Sequence, residues 1–255
     1  MRILLTNDDG IQAEGIRTLA SVLSEKHEIY IAAPDRQRSA AGHSVTYFMR
    51  DNTAQRTEIP GVKEAWAISG TPADCVYYAL YGLLKEKPDL VLSGINHGPN
   101  LATDCLYSGT VAAAMEAYVI GVPAAAVSLC GRNNDYLKDC AETVSDLLPD
   151  IFPYISEEDC ILNINFPCIP RRDIAGVRIT KFDGMRNYAK KLETIRQDDG
   201  TVILRCPSAP VSMKTSRRTL EGDVTAVENH YISVTPLNGD LCAAEVCEAM
   251  KGVFL

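Results

Sequence analysis

The stretch Met1-Arg2-Ile3-Leu4-Leu5-Thr6-Asn7-Asp8-Asp9-Gly10 opens the chain with a short apolar run that stops on two adjacent carboxylates and a glycine. Such a run, flanked by turn residues, reads as a strand buried on both faces. Two like charges at its mouth repel each other and lose hydration, so each carboxylate has its pKa raised unless a cation or a proton sits between them. The first strand therefore demands positive charge at its carboxyl end.

Outward from this strand, apolar runs alternate with amphipathic segments through about residue 170. Strands are predicted at Ile3 to Thr6, Ile29 to Ala33, Ala65 to Ser69, Leu90 to Ser93, Ala124 to Leu129 and Ile161 to Asn165. Helices are predicted near 13 to 25, 72 to 86, 109 to 120 and 135 to 148; the second begins at Thr71-Pro72, a cap residue followed by proline at the first helical position. Strand and helix in turn are the pattern of an α/β fold, a doubly wound and mostly parallel sheet. Beyond residue 170 the texture changes to short β-prone runs, Val177 to Phe182, Val202 to Arg205 and Tyr231 to Thr235, separated by polar segments. Asp199-Gly200 predicts a hairpin turn, and Asp240 to Lys251 a final helix that packs back. With no internal repeat or linker, 1–255 reads as one domain: a core over 1–170 and a β-rich extension over about 171–255 that projects from the sheet and serves assembly.

The chain has 255 residues, 46% hydrophobic and 23% charged, ample for a sizeable core. A formal net charge of -8 argues against a nucleic-acid polymer as partner. No apolar run reaches the roughly 20 residues of a membrane span, and the start lacks secretory character. Nine cysteines, scattered, odd in number and never spaced C-x-x-C, point to a reduced, cytoplasmic protein without a zinc site.

Ligands of doubly wound sheets bind beyond the carboxyl ends of the strands. Those ends carry Asn7-Asp8-Asp9, then 34–44 with Ser39, Gly42 and His43, then Gly70-Thr71-Pro72-Ala73-Asp74, then Ser93-Gly94-Ile95-Asn96-His97-Gly98-Pro99-Asn100. Carboxylate, hydroxyl and amide oxygens without sulfur suit a hard divalent cation, Mg²⁺, Mn²⁺ or Ca²⁺. Farther on, Ser108-Gly109-Thr110 opens an alanine-rich helix, and such a capped entrance is an anion site. A metal pocket beside it suggests phosphate-ester chemistry. Asn7, Gly42, His43 and Asn100 are further candidates for contact with substrate phosphate; His43 and His97 are candidate acid/base groups, and Asp74 and Asp104 could orient other groups or cap. No G-x-G-x-x-G follows the first strand, and neither a G-x-x-x-x-G-K-[ST] loop nor a G-x-S-x-G elbow occurs, which weakens dinucleotide, P-loop and serine-hydrolase readings.

Taken together, Leu4-Leu5-Thr6-Asn7-Asp8-Asp9-Gly10, Ala33-Pro34 with Arg38-Ser39 and Gly42, Gly70-Thr71-Pro72-Ala73-Asp74, Ser93 to Asn100 and Tyr107 to Glu116 closely resemble the SurE family from end to end. The resemblance implies a Rossmann-like core with a C-terminal extension exchanged between subunits of a homodimer or homotetramer. It implies that Asp8, Asp9, Ser39 and Asn96 ligate one divalent ion per subunit, Mg²⁺ or Mn²⁺, and that Ser108, Gly109 and Thr110 lie near the substrate phosphate. The implied activity is a 5'-nucleotidase acting on nucleoside monophosphates, with 3'-nucleotides and short polyphosphate as side substrates. Asp8 and Asp9 are the catalytic candidates, as base or nucleophile. A non-catalytic module that senses nucleotide or phosphate is the competing expectation. Ala102 and Ala117 stand where the family usually has glycine; the first bears on the conformation of the loop carrying Asn100 and Asp104, and since the metal ligands all match, only substrate preference is put in question.

Overall fold

Ile3, Leu4 and Leu5 have no exposed surface, and the strand they form, β1 (Arg2–Thr6), lies inside a nine-stranded sheet. The computed structural model describes residues 1–131, 133–184, 193–205 and 218–254. β1 is followed by α1 (Glu14–Leu23), β2 (Glu28–Pro34), β3 (Ala54–Thr57), β4 (Glu64–Ile68) and α2 (Pro72–Tyr78). Then come β5 (Leu90–His97), α3 (Gly109–Val119), β6 (Ala124–Cys130), α4 (Leu137–Glu157) and β7 (Ile161–Pro167). The C-terminal part adds β8 (Gly176–Ile179), β9 (Glu193–Arg196), β10 (Val202–Arg205), α5 (Asp223–Glu228), β11 (Tyr231–Leu237) and α6 (Ala244–Phe254).

The strand order is β3-β4-β2-β1-β5-β6-β7-β11-β8, and from β4 through β7 all neighbours run parallel. Alternation along β1 sends Ile3 and Leu5 to one face, packed with α1 and α4, and Leu4 to the other, packed with α2 and α3. The fold is thus α/β and doubly wound, as expected. Because β1 pairs with β2 on one side and β5 on the other, the winding reverses between β1 and β5. That reversal opens a crevice at the carboxyl ends of these two strands.

β5 carries an irregularity that matters there. Ser93 pairs with Ala126, but the next pair is Asn96 with Ser128, so β5 holds one residue more than β6 across this step. Such a bulge re-aims the side chains beyond it, here Asn96. Gly94 allows it: its φ is +145°, and a Cβ there would stand 2.3 Å from the Val127 carbonyl oxygen.

Several boundaries differ from the sequence reading. α2 stops at Tyr78 and continues as a π-helical turn, Ala79–Leu83, instead of reaching 86; Gly82 and the approach to Pro88 disfavour a longer α-helix. α4 runs past 148 to Glu157 through Pro149 and Pro153, because Ile151, Phe152 and Ile155 keep packing against the core. The antiparallel edge strand β3 was not anticipated: its Ala-Gln-Arg-Thr sequence is polar and mostly exposed, as edge strands are.

The sheet also does not end near residue 170. β11 pairs antiparallel with β7, and β8 pairs parallel with β11, so both belong to the main sheet. Among the described residues, β9 and β10 alone form a separate ribbon, turned at Asp199-Gly200 as predicted, with every residue exposed.

Candidate active site

The turn after β1 is tied by Asn7, whose side chain donates to the Gly10 carbonyl at 2.9 Å and accepts from the Gly10 N–H at 3.1 Å. This two-way clip fixes Asp8 and Asp9 at the crevice. Asp8 is only 4% exposed, and its Oδ1 accepts from the Thr110 hydroxyl of α3 at 2.7 Å. Burial, with Asp9 as a further like charge, raises its pKa from 3.8 to about 6, although the Thr110 hydrogen bond opposes the shift. Asp9 is less buried; its Oδ2 accepts from the His97 backbone N–H at 3.2 Å and its Oδ1 from Gln37 Nε2 at 3.5 Å.

The loop after β2 is brought to this point by the Arg38 backbone N–H, which donates to the Asp8 carbonyl at 2.7 Å. Ser39 follows, and Gln37 Nε2 donates to its Oγ at 2.9 Å, so one glutamine amide touches both Asp9 and Ser39. From β5, Asn96 Nδ2 donates to the Gly98 carbonyl at 2.9 Å, which leaves the Oδ1 end of that amide for a ligand. A cavity of about 360 Å³ gathers Asp8, Asp9, Ser39, Asn96, Asn100 and Ser108 on one wall system.

Ser108 caps α3, its Oγ accepting from the Val111 N–H at 3.0 Å. The first-turn N–H groups of that helix carry its positive dipole end toward the crevice. Gly109 lets the helix approach: a Cβ there would lie 2.8 Å from the Asp8 Cβ and 3.1 Å from its Oδ2. Thr110 has no exposed surface and acts on Asp8 from behind the wall.

The other residues singled out in the sequence divide between the cavity wall, with His97, Asn100 and Asp104, and the shell around it. Asn7, Gly42 and His43 lie outside the cavity wall. Gly42 donates its N–H to the Tyr107 carbonyl at 3.0 Å, tying two loops together. His43 Nε2 pairs with Glu116 Oε2 of α3 at 2.8 Å. His97 stays at the wall, with its side chain exposed. Asp74 closes a capping box with Thr71 and also accepts from the Thr46 backbone and hydroxyl, while Asp104 lines the cavity. Asn100 is a hub: Asn165 Oδ1 accepts from its N–H at 2.9 Å, and Asn163 and Asn165 both donate to its carbonyl.

Among the described residues no group of three His, Cys, Asp or Glu side chains is gathered to hold a metal ion. The donors that do converge are two carboxylates, a hydroxyl and an amide carbonyl. All are oxygens, and Asp8 is a buried carboxylate with its charge disfavoured, so this set fits a hard divalent ion.

A family model described as "Survival protein SurE" matches residues 3–191. The chain belongs to the SurE family. Its relatives include a protein of Syntrophomonas wolfei named "5'-nucleotidase SurE", 40% identical over 100% of this chain and 95% of that protein. Another of the same name, from Desulforudis audaxviator, is 43% identical over 98% of this chain and 96% of its own length. The crystal structure of the family protein from Aquifex aeolicus superposes with a TM-score of 0.83 at 34% identity, covering 99% of both chains.

Proposed function

We propose that this crevice hydrolyses nucleoside 5'-monophosphates to nucleoside and phosphate with one divalent ion per subunit, Mg²⁺ or Mn²⁺. The observation that carries the reading is the convergence of Asp8, Asp9, Ser39 and Asn96 in one cavity beside the capped start of α3. The nucleotidase part is supported by kinship, since full-length relatives at 40% and 43% identity carry the name 5'-nucleotidase. Secondary turnover of 3'-nucleotides and short polyphosphate belongs to the same proposal.

Asp8, Asp9, Ser39 and Asn96 would hold the ion, which when bound supplies Lewis-acid neutralisation of the phosphoryl charge. Ser108, Gly109 and Thr110 set the α3 entrance against the phosphoryl oxygens, where preformed N–H dipoles act on developing charge. Asp9, the more accessible carboxylate, is the one placed to take a proton from an attacking water. Asp8 is the anchor, held by Thr110. His97 stands at the wall as a candidate donor to the leaving oxygen.

The test is phosphate release from a panel of nucleotides with Mn²⁺ and with Mg²⁺. Release above blank from 5'-monophosphates is expected; none from any nucleotide would favour a module that binds phosphate without cleaving it.

The raised pKa of Asp8 gives a pH prediction. In the metal-free protein the folded state holds a proton near pH 5 that the unfolded state has released, so this group's contribution to stability falls as pH rises from about 4 through 6. The loss is on the order of 3 kcal/mol for a shift of this size. A divalent ion stabilises the ionised form, so the rise in melting temperature on adding Mn²⁺ is expected to be larger at pH 8 than at pH 5. Equal rises at both pH values would count against Asp8 as a ligand.

Assembly as a homodimer or homotetramer is also proposed, supported by Ile195, Val202, Ile203 and Leu204, which leave apolar surface exposed on the β9–β10 ribbon. Light scattering at micromolar concentration should report a species larger than the single chain, and a monomer alone would contradict it. No described helix is long and apolar enough to cross a membrane; cytoplasmic residence stays part of the proposal, on the cysteine pattern.

A further inference from the structure

We infer that Asp223, more than a hundred residues from the crevice in sequence, is a positioning residue for the loop that presents Asn100, Asp104, Tyr107 and Ser108 to the cavity. Its carboxylate has no exposed surface and accepts three backbone N–H groups: Ala102 at 2.6 Å, Val224 at 2.8 Å and Asp183 at 3.0 Å. The shortest of these reaches into the middle of the site loop.

Ala102 needs that hold. Its φ is +49°, the left-handed region, which costs an alanine roughly 1–2 kcal/mol and persists only where the surroundings enforce it. Burial of Leu101 and Ala102 against Val224 and Val227 of α5 supplies part of the enforcement, and the Asp223 carboxylate supplies direction. Ala102 also opens the 3₁₀ turn Ala102–Leu106, which leads directly to Tyr107 and the Ser108 cap. The loop's ends are gripped separately, Asn100 by Asn165 and the Tyr107 carbonyl by Gly42. Asp223 sets the path between those grips. A site built from strand ends near the start of the chain thus has its phosphate-side loop shaped from the C-terminal part, beyond the residues that the family model matches.

A neighbouring aspartate separates positioning from mere stability. Asp183 is equally buried, but its carboxylate accepts from Thr219 and Thr225, each at 2.7 Å, and from no residue of the site loop.

The kinetic arm of the test rests on the nucleotidase reading. Asp223→Asn is expected to lower kcat/KM for a nucleoside 5'-monophosphate by about tenfold or more, the cost of a small misplacement at a reacting centre. The Mn²⁺ concentration for half-activation should move by less than about twofold, because Asp8, Asp9, Ser39 and Asn96 lie outside the Ala102–Leu106 turn. Asp183→Asn should lower the melting temperature yet cost clearly less turnover than Asp223→Asn, since it removes no bond to the site loop. Adding Ala102→Gly to Asp223→Asn should restore most of the lost activity, since glycine holds a positive φ without help. Hydrogen exchange read on the free protein needs no substrate: amides of 100–108 should exchange faster in Asp223→Asn than in Asp183→Asn. If Asp223→Asn does not fold, Asp223→Glu, which displaces the carboxylate by one methylene, is read the same way. Equal activity losses in the two aspartate variants, or unchanged exchange over 100–108, would overturn the assignment. A wild-type protein that releases no phosphate would instead sink the nucleotidase reading, and the exchange comparison would still decide the role of Asp223.

Discussion

Asp9→Asn is expected to lower phosphate release by about 10²-fold or more while leaving the fold intact. The asparagine keeps the size of the side chain and one oxygen, which can still accept from the His97 N–H, now 3.2 Å from Oδ2, while its NH2 takes the place of the Oδ1 that lies 3.5 Å from Gln37 Nε2. It removes the charge. Because Asp9 is only partly buried, the substitution should shift the melting temperature little, in line with surface changes of about 0.5 kcal/mol. Excess EDTA should produce a comparable loss in the wild type, reversed by added Mn²⁺. The decisive readings are initial rates across a metal titration alongside a thermal melt. Activity of Asp9→Asn within about tenfold of wild type at saturating metal would remove Asp9 from the catalytic centre.

Gly109→Ala is the second large effect, and it acts through shape. An added Cβ would press on the Asp8 Cβ at 2.8 Å, on Pro72 Cγ at 3.0 Å and on Asp8 Oδ2 at 3.1 Å. Neither neighbour can step aside cheaply, since Pro72 opens α2 and Asp8 is bonded to Thr110 at 2.7 Å. Stability should fall by about 1–3 kcal/mol, as overpacking a filled site does. Turnover should fall by about tenfold or more because Asp8 and the α3 entrance can no longer keep their mutual distance. A variant with wild-type rates and an unchanged melt would show that α3 does not meet Asp8 at this point.

Much of this site was legible in the chain because the fold concentrates it at strand ends. The apolar run before Asp8 announces a buried strand, and the polar loops after β1, β2 and β5 follow from the same alternation; the choice of Ser39 and Asn96 from those loops as partners of Asp8 and Asp9 comes from the resemblance to the SurE family. What periodicity cannot carry is contact between distant segments. Thr110 reads as a helix-start residue, yet its hydroxyl belongs to Asp8. Asp223 carries no signal in the local pattern, yet its carboxylate reaches Ala102.

One missed signal was available. Asn163 and Asn165 interrupt the otherwise apolar Ile161-Leu162-Asn163-Ile164-Asn165-Phe166, and both are fully buried. Amides placed in a strand buried on both faces must find partners or cost several kcal/mol. Their partner is Asn100, which both lines the cavity and anchors the site loop. The C-terminal strands β8 and β11 fall on the β-prone runs Val177 to Phe182 and Tyr231 to Thr235, but their place in the main sheet, β11 on β7 and β8 on β11, depends on long-range pairing that local pattern does not encode.

On the proposed function, the crevice between β1 and β5 holds one divalent ion. Crystals grown with Mn²⁺ and measured for its anomalous scattering test it most directly. A single strong peak per subunit is expected within coordinating reach of Asp8, Asp9, Ser39 and Asn96, lost in Asp9→Asn. A peak elsewhere with none in this crevice, or no bound Mn²⁺ at saturating concentration, would contradict it.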